Sequence, residues 1–287
     1  MSPAYRTDFA WPHRPADVSR VEPQRLANRG DLLARRSRRV RNAAGDPFDP
    51  TFDFRSDSQG RDPDAASATL RRYHQLLWSK MLPCGAKFTL ELDDTYLRHV
   101  SDAGVLLLSS DTAVPTWSTW TRFGHIRRFI NEQDLREFDT ITYQMGAMML
   151  FPRNRINGLP SINQQRGCTP SIGDRLDLTV ECIRLFYEGV TDPRTNPLGP
   201  TLARYANFFG IFTDFATYAQ FWLLQDLLTE DLQQVIPFLP FTSFDEPALP
   251  QSMSDYVAYR SRAIAFVEAR NRRMLSAVES RLDHSGV

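Results

Sequence analysis

The sequence predicts an α+β protein, a small mostly antiparallel sheet followed by a mainly helical C-terminal half. Two observations lead there. Between residues 86 and 110 the runs AKFTLEL, TYLRHV and GVLLLSS are short and strand-like, and the turn-forming SDAG separates the last two. From residue 172 the apolar period changes to that of helices, so helices are segregated after the strands along the chain.

Taken in order, order is expected to begin near FDPTFDFRSDS, where Phe48, Phe52 and Phe54 can pack. After the loop SQGRDPDAAS, LRRYHQLLWSKM places Leu70, Tyr73, Leu77, Trp78 and Met81 at helical spacing, and PCG ends that helix. AKFTLEL alternates as a half-buried strand with Phe88, Leu90 and Leu92 on one face. A helix over roughly 123–138 precedes YQMGAMMLF, which reads as a buried strand or as the end of that helix. IGDRLDLTVECIRLFYEG carries Ile172, Leu176, Val180, Ile183 and Tyr187 on one stripe, with Ser171 as a cap and Gly189 as the stop. TLARYANFFGIF and DFATYAQFWLLQDLL are apolar enough to be buried helices, the second capped by Asp214, and Ser254 to Asp283 form one long helix.

Composition bounds the class. The chain has 287 residues, 42% of them hydrophobic, which supports a sizeable core. Its apolar stretches fall short of the ~20 residues a membrane span needs, and no charged-then-apolar leader opens the chain. Cys84, Cys168 and Cys182 are odd in number and never spaced C-x-x-C, so reduced thiols and a cytoplasmic location are expected, with no metal site. Net charge is zero, yet residues 1–41 hold ten arginines against four acids, a net +6 that the remainder cancels. That split predicts an arginine-rich, disordered extension over 1–47 and a single α+β globular domain over 48–287. Only Lys80 and Lys87 are lysines.

Phosphate-loop, dinucleotide-binding, serine-hydrolase-elbow and zincin motifs are all missing. Weaker constellations carry the chemistry that is left. Glu91, Asp93 and Asp94 cluster at a strand end, and acidic turns explain such a cluster better than a magnesium site. His74, flanked by arginines and Trp78, is the best-placed general base among the isolated histidines. Asp111 closes a strand in SSD and is a second acid–base candidate. Trp117, Trp120 and Phe123 read as core. The stretch FPRNRINGLPSINQQRGC holds three arginines and three asparagines with no acid. Arg153 and Arg155 share a face of extended chain, the Asn157-Gly158 turn brings back Asn163 and Arg166, and Arg175 opens the next helix. Such a set fits a phosphate or carboxylate, while Asp174, Asp177 and Glu181 stand close enough in sequence to neutralise it instead.

The segments DFRSDSQGRDPD, RRYHQLLWSK, LLLSSD, FPRNRING, DRLDLTVECIR and EARNRR resemble a bacterial domain family of unknown function over about residues 48–273. The resemblance implies no catalytic role. The functional expectation is therefore an anionic small molecule, phosphate- or nucleotide-bearing, or a nucleic-acid end. It would be bound through Arg153, Arg155, Asn163, Arg166 and Arg175, and transformed with His74 or Asp111 in a defence or toxin-like role. The alternative is a non-catalytic interaction protein whose arginines form internal salt bridges. No cofactor is assigned and no membrane partner is expected.

Overall fold

A computed structural model describes residues 48–82, 84–93, 96–101 and 104–285. The arginine-rich extension and Asp94 lie outside the described residues.

The expected α+β order is observed. Two short strands, β1 (Lys80–Met81) and β2 (Lys87–Phe88), pair antiparallel. A second antiparallel sheet runs β3 (Glu91–Asp93), β4 (Tyr96–Ser101), β5 (Gly104–Thr112) and β6 (Met148–Pro152) in that spatial order. AKFTLEL is thus broken in two rather than continuous. The Leu90 N–H donates to Ser79 Oγ at 3.0 Å and its carbonyl accepts from Gln75 Nε2 at 2.9 Å, so the backbone there bonds to the end of a helix and its loop. Phe88 and Leu90 are buried while Leu92 is 52% exposed, so the predicted common face fails at its last residue. YQMGAMMLF resolves into a 3-10 turn and β6, whose five residues are all buried.

One register detail positions the site. β4 pairs with β5 only as far as Leu97 opposite Leu108, while β5 continues against β6 to Thr112 opposite Met148. The last residues of β5 therefore have an open edge, whose donors need other partners. Alternation along β5 sends neighbouring side chains to opposite faces.

Ten α-helices flank these sheets among the described residues. α1 (Pro63–Ala66) leads into α2 (Ala68–Trp78), where Ser67 caps by accepting the Leu70 N–H. Leu70, Tyr73, Leu77 and Trp78 are buried as expected, but Met81 sits on β1 and is exposed. The helix predicted over 123–138 divides into α3 (Gly124–Arg127) and α4 (Glu132–Thr142), because Asn131 adopts an extended conformation and caps α4. α5 (Ile162–Cys168) is followed by α6 (Leu176–Tyr187), which starts at Arg175 rather than Ser171. The intervening turn places Asp174 at φ 65°, so the chain changes direction before the helix begins. α7 (Gly199–Arg204), α8 (Ala206–Phe209) and α9 (Phe215–Phe221) bury the aromatic segment, and Asp214 caps α9 through the Thr217 N–H.

α10 (Met253–Ser285) is the long helix expected at the C-terminus and locks the sheet to the helical half. Its Arg270 is fully buried and, among the described residues, forms no ion pair. All five of its N–H groups are nonetheless used, by the carbonyls of Gly146, Met148 and Trp222 and by Met149 Sδ. At Gly146 a Cβ would stand 2.4 Å from the Val267 carbonyl oxygen, so only glycine permits this approach of helix to turn. The buried apolar residues of sheet and helices form one continuous cluster.

Candidate functional site

The open edge of β5 is where chemistry gathers. Asp62 caps α1 by accepting the Asp64 N–H at 3.0 Å, and Pro63 fills the first helical position. This fixes Asp64 in the first turn, from which its Oδ1 accepts the Ser110 backbone N–H at 2.6 Å. The carboxylate thus takes the place of the strand partner that β4 no longer supplies. Burial pushes the Asp64 carboxyl up to about 6, even though the Ser110 N–H and the charges of Arg153 and Arg71 pull the other way.

Asp111, the next residue after Ser110, faces the opposite side of the sheet and meets α5. Its Oδ2 lies 3.3 Å from Arg166 Nη1, and Nη2 of the same guanidinium lies 3.3 Å from Asp174 Oδ1. One arginine is therefore shared by two carboxylates, too little charge to hold both ionised at low cost. Burial pushes Asp111 up to about 7 against the pull of Arg166, and the charges of Asp174, Asp64 and Asp62 add to the rise. Asp174 is raised for the same first reason, burial.

A cleft of about 500 Å³ opens over this edge, lined among others by Arg61, Asp62, Asp64, Ser110, Asp111 and Tyr143. Arg55 forms one wall, paired with Asp53 and Asp139 and packed 4.6 Å from the centre of the Tyr143 ring. Two carboxyls poised between about 6 and about 7 can give and take protons near neutral pH. Among the described residues, no group of three or more His, Cys, Asp or Glu is placed to hold a metal ion.

The sequence-predicted residues divide. Asp111 and Arg166 meet directly, and Asn163, three residues before Arg166 on α5, reaches Ser109 Oγ at 3.4 Å, two residues before Asp111 on β5. Arg153 stacks 3.4 Å from the centre of the Tyr96 ring, within reach of Asp64 by charge. The others are corrected. His74 is fully buried, with both ring nitrogens engaged inside the protein. The Trp78 indole can only donate, and it does so to His74 Nδ1 at 3.0 Å, so the ring proton sits on Nε2 and points to Ser110 Oγ at 2.8 Å. Burial, aided by the charge of Arg270, drives this imidazole down to about 3. Arg175 is also buried, its guanidinium committed to Asp177 and the Ala248 carbonyl. Arg166 has no exposed surface, being held by Thr179 and the Asp174 carbonyl as well as by its two acids. Arg155 is exposed and donates to Gln164. The five predicted ligand-binding residues therefore do not converge on one open pocket.

Sequence reasoning passed over Asp64, and named Asp174 only as an acid that could neutralise the arginines, which is how it stands against Arg166. Asp-Pro-Asp before a helical run was a usable signal for Asp64, since it spells an N-cap, a first-position proline and an acid in the first turn. For Asp174 the local signal was its closeness in sequence to the arginines, while its sharing of Arg166 with Asp111 depends on α5 and β5 meeting.

An antiparallel sheet edge crossed by a short acidic helix, with carboxyls and arginines around a cleft, defines an α+β protein with a built polar site. The chain belongs to DUF6994, a family of unknown function whose model matches residues 48–274. The family resemblance read over 48–273 is borne out in extent. No curated protein and no solved structure matches the chain.

Proposed function

We propose that the chain binds an anionic, phosphate- or nucleotide-bearing small molecule in the cleft beside β5 and transforms it by carboxyl acid–base chemistry. Asp111 and Asp64 are the proton-transferring groups, and Arg153 and Arg61 supply the positive charge. The observation that carries the reading is the presence of two carboxyls, raised to about 6 and about 7, on one cleft wall. The test is thermal-shift screening of the wild type against nucleotides and phosphorylated metabolites, followed by product analysis. Arg153→Met should weaken a binding ligand roughly tenfold or more, as expected for losing a hydrogen bond to a charged group. Asp111→Asn should keep binding and lose turnover. If no such compound shifts the wild type and none is converted, the reading is wrong. Binding of a nucleic-acid end through the same arginines would show as salt-sensitive association with DNA or RNA.

A second reading, a non-catalytic interaction protein with internal salt bridges, is favoured by the pairings of Arg166, Arg175 with Asp177, and Arg184 with Glu181 and Glu188. The same screen decides between them. No helix among the described residues is long and apolar enough to cross a membrane. With Cys84, Cys168 and Cys182 all free, a cytoplasmic location is part of the proposal.

A further inference from the structure

The carboxyl side of the cleft is short of positive charge. Arg55 is shared by Asp53 and Asp139, and Arg166 by Asp111 and Asp174. Asp62 and Asp64, on the cleft wall, form no ion pair among the described residues. Oδ1 of each accepts a backbone N–H, that of Asp64 and that of Ser110, and Oδ2 of each has no hydrogen-bond partner among those residues. The described chain starts beside this wall. Phe48 packs 4.7 Å from the centre of the Tyr73 ring, one turn of α2 beyond Leu70, which lines the cleft. The Asp49 N–H donates to Tyr73 Oη at 3.0 Å, and the Phe54 N–H to the carbonyl of Tyr143, also a lining residue, at 3.2 Å. Just upstream, outside the described residues, the sequence reads ARRSRRVR over 34–41, five arginines without an acid, and six residues separate Arg41 from Phe48.

We propose that the arginine segment 35–41 docks in this cleft of its own chain, its guanidiniums pairing with Asp62 and Asp64. Reach allows it: at about 3.3–3.6 Å per residue the stretch from Arg41 to Phe48 spans up to about 25 Å, and the cleft beside Phe48 measures about 500 Å³. Chemistry favours it, because a guanidinium fork matches a carboxylate, as Arg175 matches Asp177 elsewhere in the chain. The nearby cations oppose it little. Arg71 is spent on the carbonyls of Asp64 and Ala65, and Arg153 lies over the Tyr96 ring, which leaves Arg61. A docked segment also covers Asp64, so it acts as an autoinhibitory plug. That consequence rests on the proposed reaction; the docking does not.

The test is fluorescence anisotropy with a labelled peptide of sequence ARRSRRVR and two full-length chains, the wild type and a variant combining Arg35→Ser, Arg36→Ser, Arg38→Ser, Arg39→Ser and Arg41→Ser. The variant's cleft is open to the peptide, whereas the wild type's own segment competes for it. A tether this short gives an effective concentration of about 1 mM, so for a peptide Kd of about 0.1 mM the wild type should bind roughly tenfold more weakly. Adding Asp62→Asn and Asp64→Asn to the variant should abolish binding, and both asparagines keep the oxygen that accepts the Asp64 and Ser110 N–H groups. Equal binding by wild type and variant, no binding by the variant, or binding that survives both asparagines overturns the proposal. So does a wild-type dimer in sedimentation that the variant lacks, since the segment would then fill a second copy's cleft. No substrate enters the experiment, so its outcome is separate from that of the metabolite screen.

Discussion

Asparagine at position 111 should stabilise the protein in neutral and alkaline solution and do nothing in acid. The Asp111 carboxyl is raised from an ordinary 3.8 to about 7. Between those values the folded chain holds a proton that the unfolded chain has released, so wild-type stability falls as pH rises through the window and is level above it. At about 1.4 kcal/mol per pH unit, a rise of about three units would cost about 4 kcal/mol if the group were sealed from water. The side chain is 34% exposed, and solvent screening brings the expected cost to ~1–2 kcal/mol. Asp111→Asn removes the ionisation and keeps the shape, leaving Arg166 with Asp174, Thr179 and the Asp174 carbonyl. For a domain of this size the gain is roughly 2–8 °C in Tm above about pH 7, shrinking towards zero near pH 4. Thermal unfolding of both proteins at about pH 4.5, 6 and 8 checks it. A pH-independent offset, or a variant less stable than wild type at about pH 8, refutes the reasoning. Either result would mean that Arg166 holds the carboxylate ionised and that burial is not the dominant effect.

Two further outcomes follow from the corrected residues. Asp177 accepts from Arg175 and from the Phe238 N–H with no exposure of its own, so Asp177→Ala strands a buried guanidinium and should cost ~3–5 kcal/mol, or roughly 6–20 °C in Tm. A loss under about 1 kcal/mol would show that Arg175 finds water or another partner, contrary to its committed geometry. Nitrogen NMR of the His74 ring should report the Nε2–H tautomer unchanged from about pH 5 to about pH 8, since burial has driven it down to about 3; a titration in that range would restore it as a base candidate.

What the sequence made legible follows from which signals are local. Helix α10 and the β4–β5 hairpin were readable because periodicity and turn residues act within a few positions. Breaks were not: Asn131 interrupts a pattern whose apolar period continues across it, and Leu90 leaves its strand to bond with Ser79 and Gln75. The site was half legible for the same reason. Arginine, asparagine and aspartate types marked Arg153, Asn163, Arg166 and Asp111, but nothing in spacing says which guanidinium is buried. Arg166 and Arg175 look alike as letters, and tertiary packing alone closes both against acids.

Ser110 shows how the pieces interlock. Its side chain is tied to His74 on one face, its backbone N–H is tied to Asp64 at the edge, and its successor Asp111 meets Arg166 on the other face. A histidine held neutral by burial, its tautomer fixed by Trp78, thus anchors the strand position that lies between Asp64 and Asp111. Protonating that ring would put a second N–H against an indole that has only a donor to offer. The low basicity of His74 is therefore a condition of the geometry around Asp64 and Asp111. Its place in the site is that of a positioning residue, which explains why a histidine so poorly suited to take a proton stands one strand residue from groups well suited to do so.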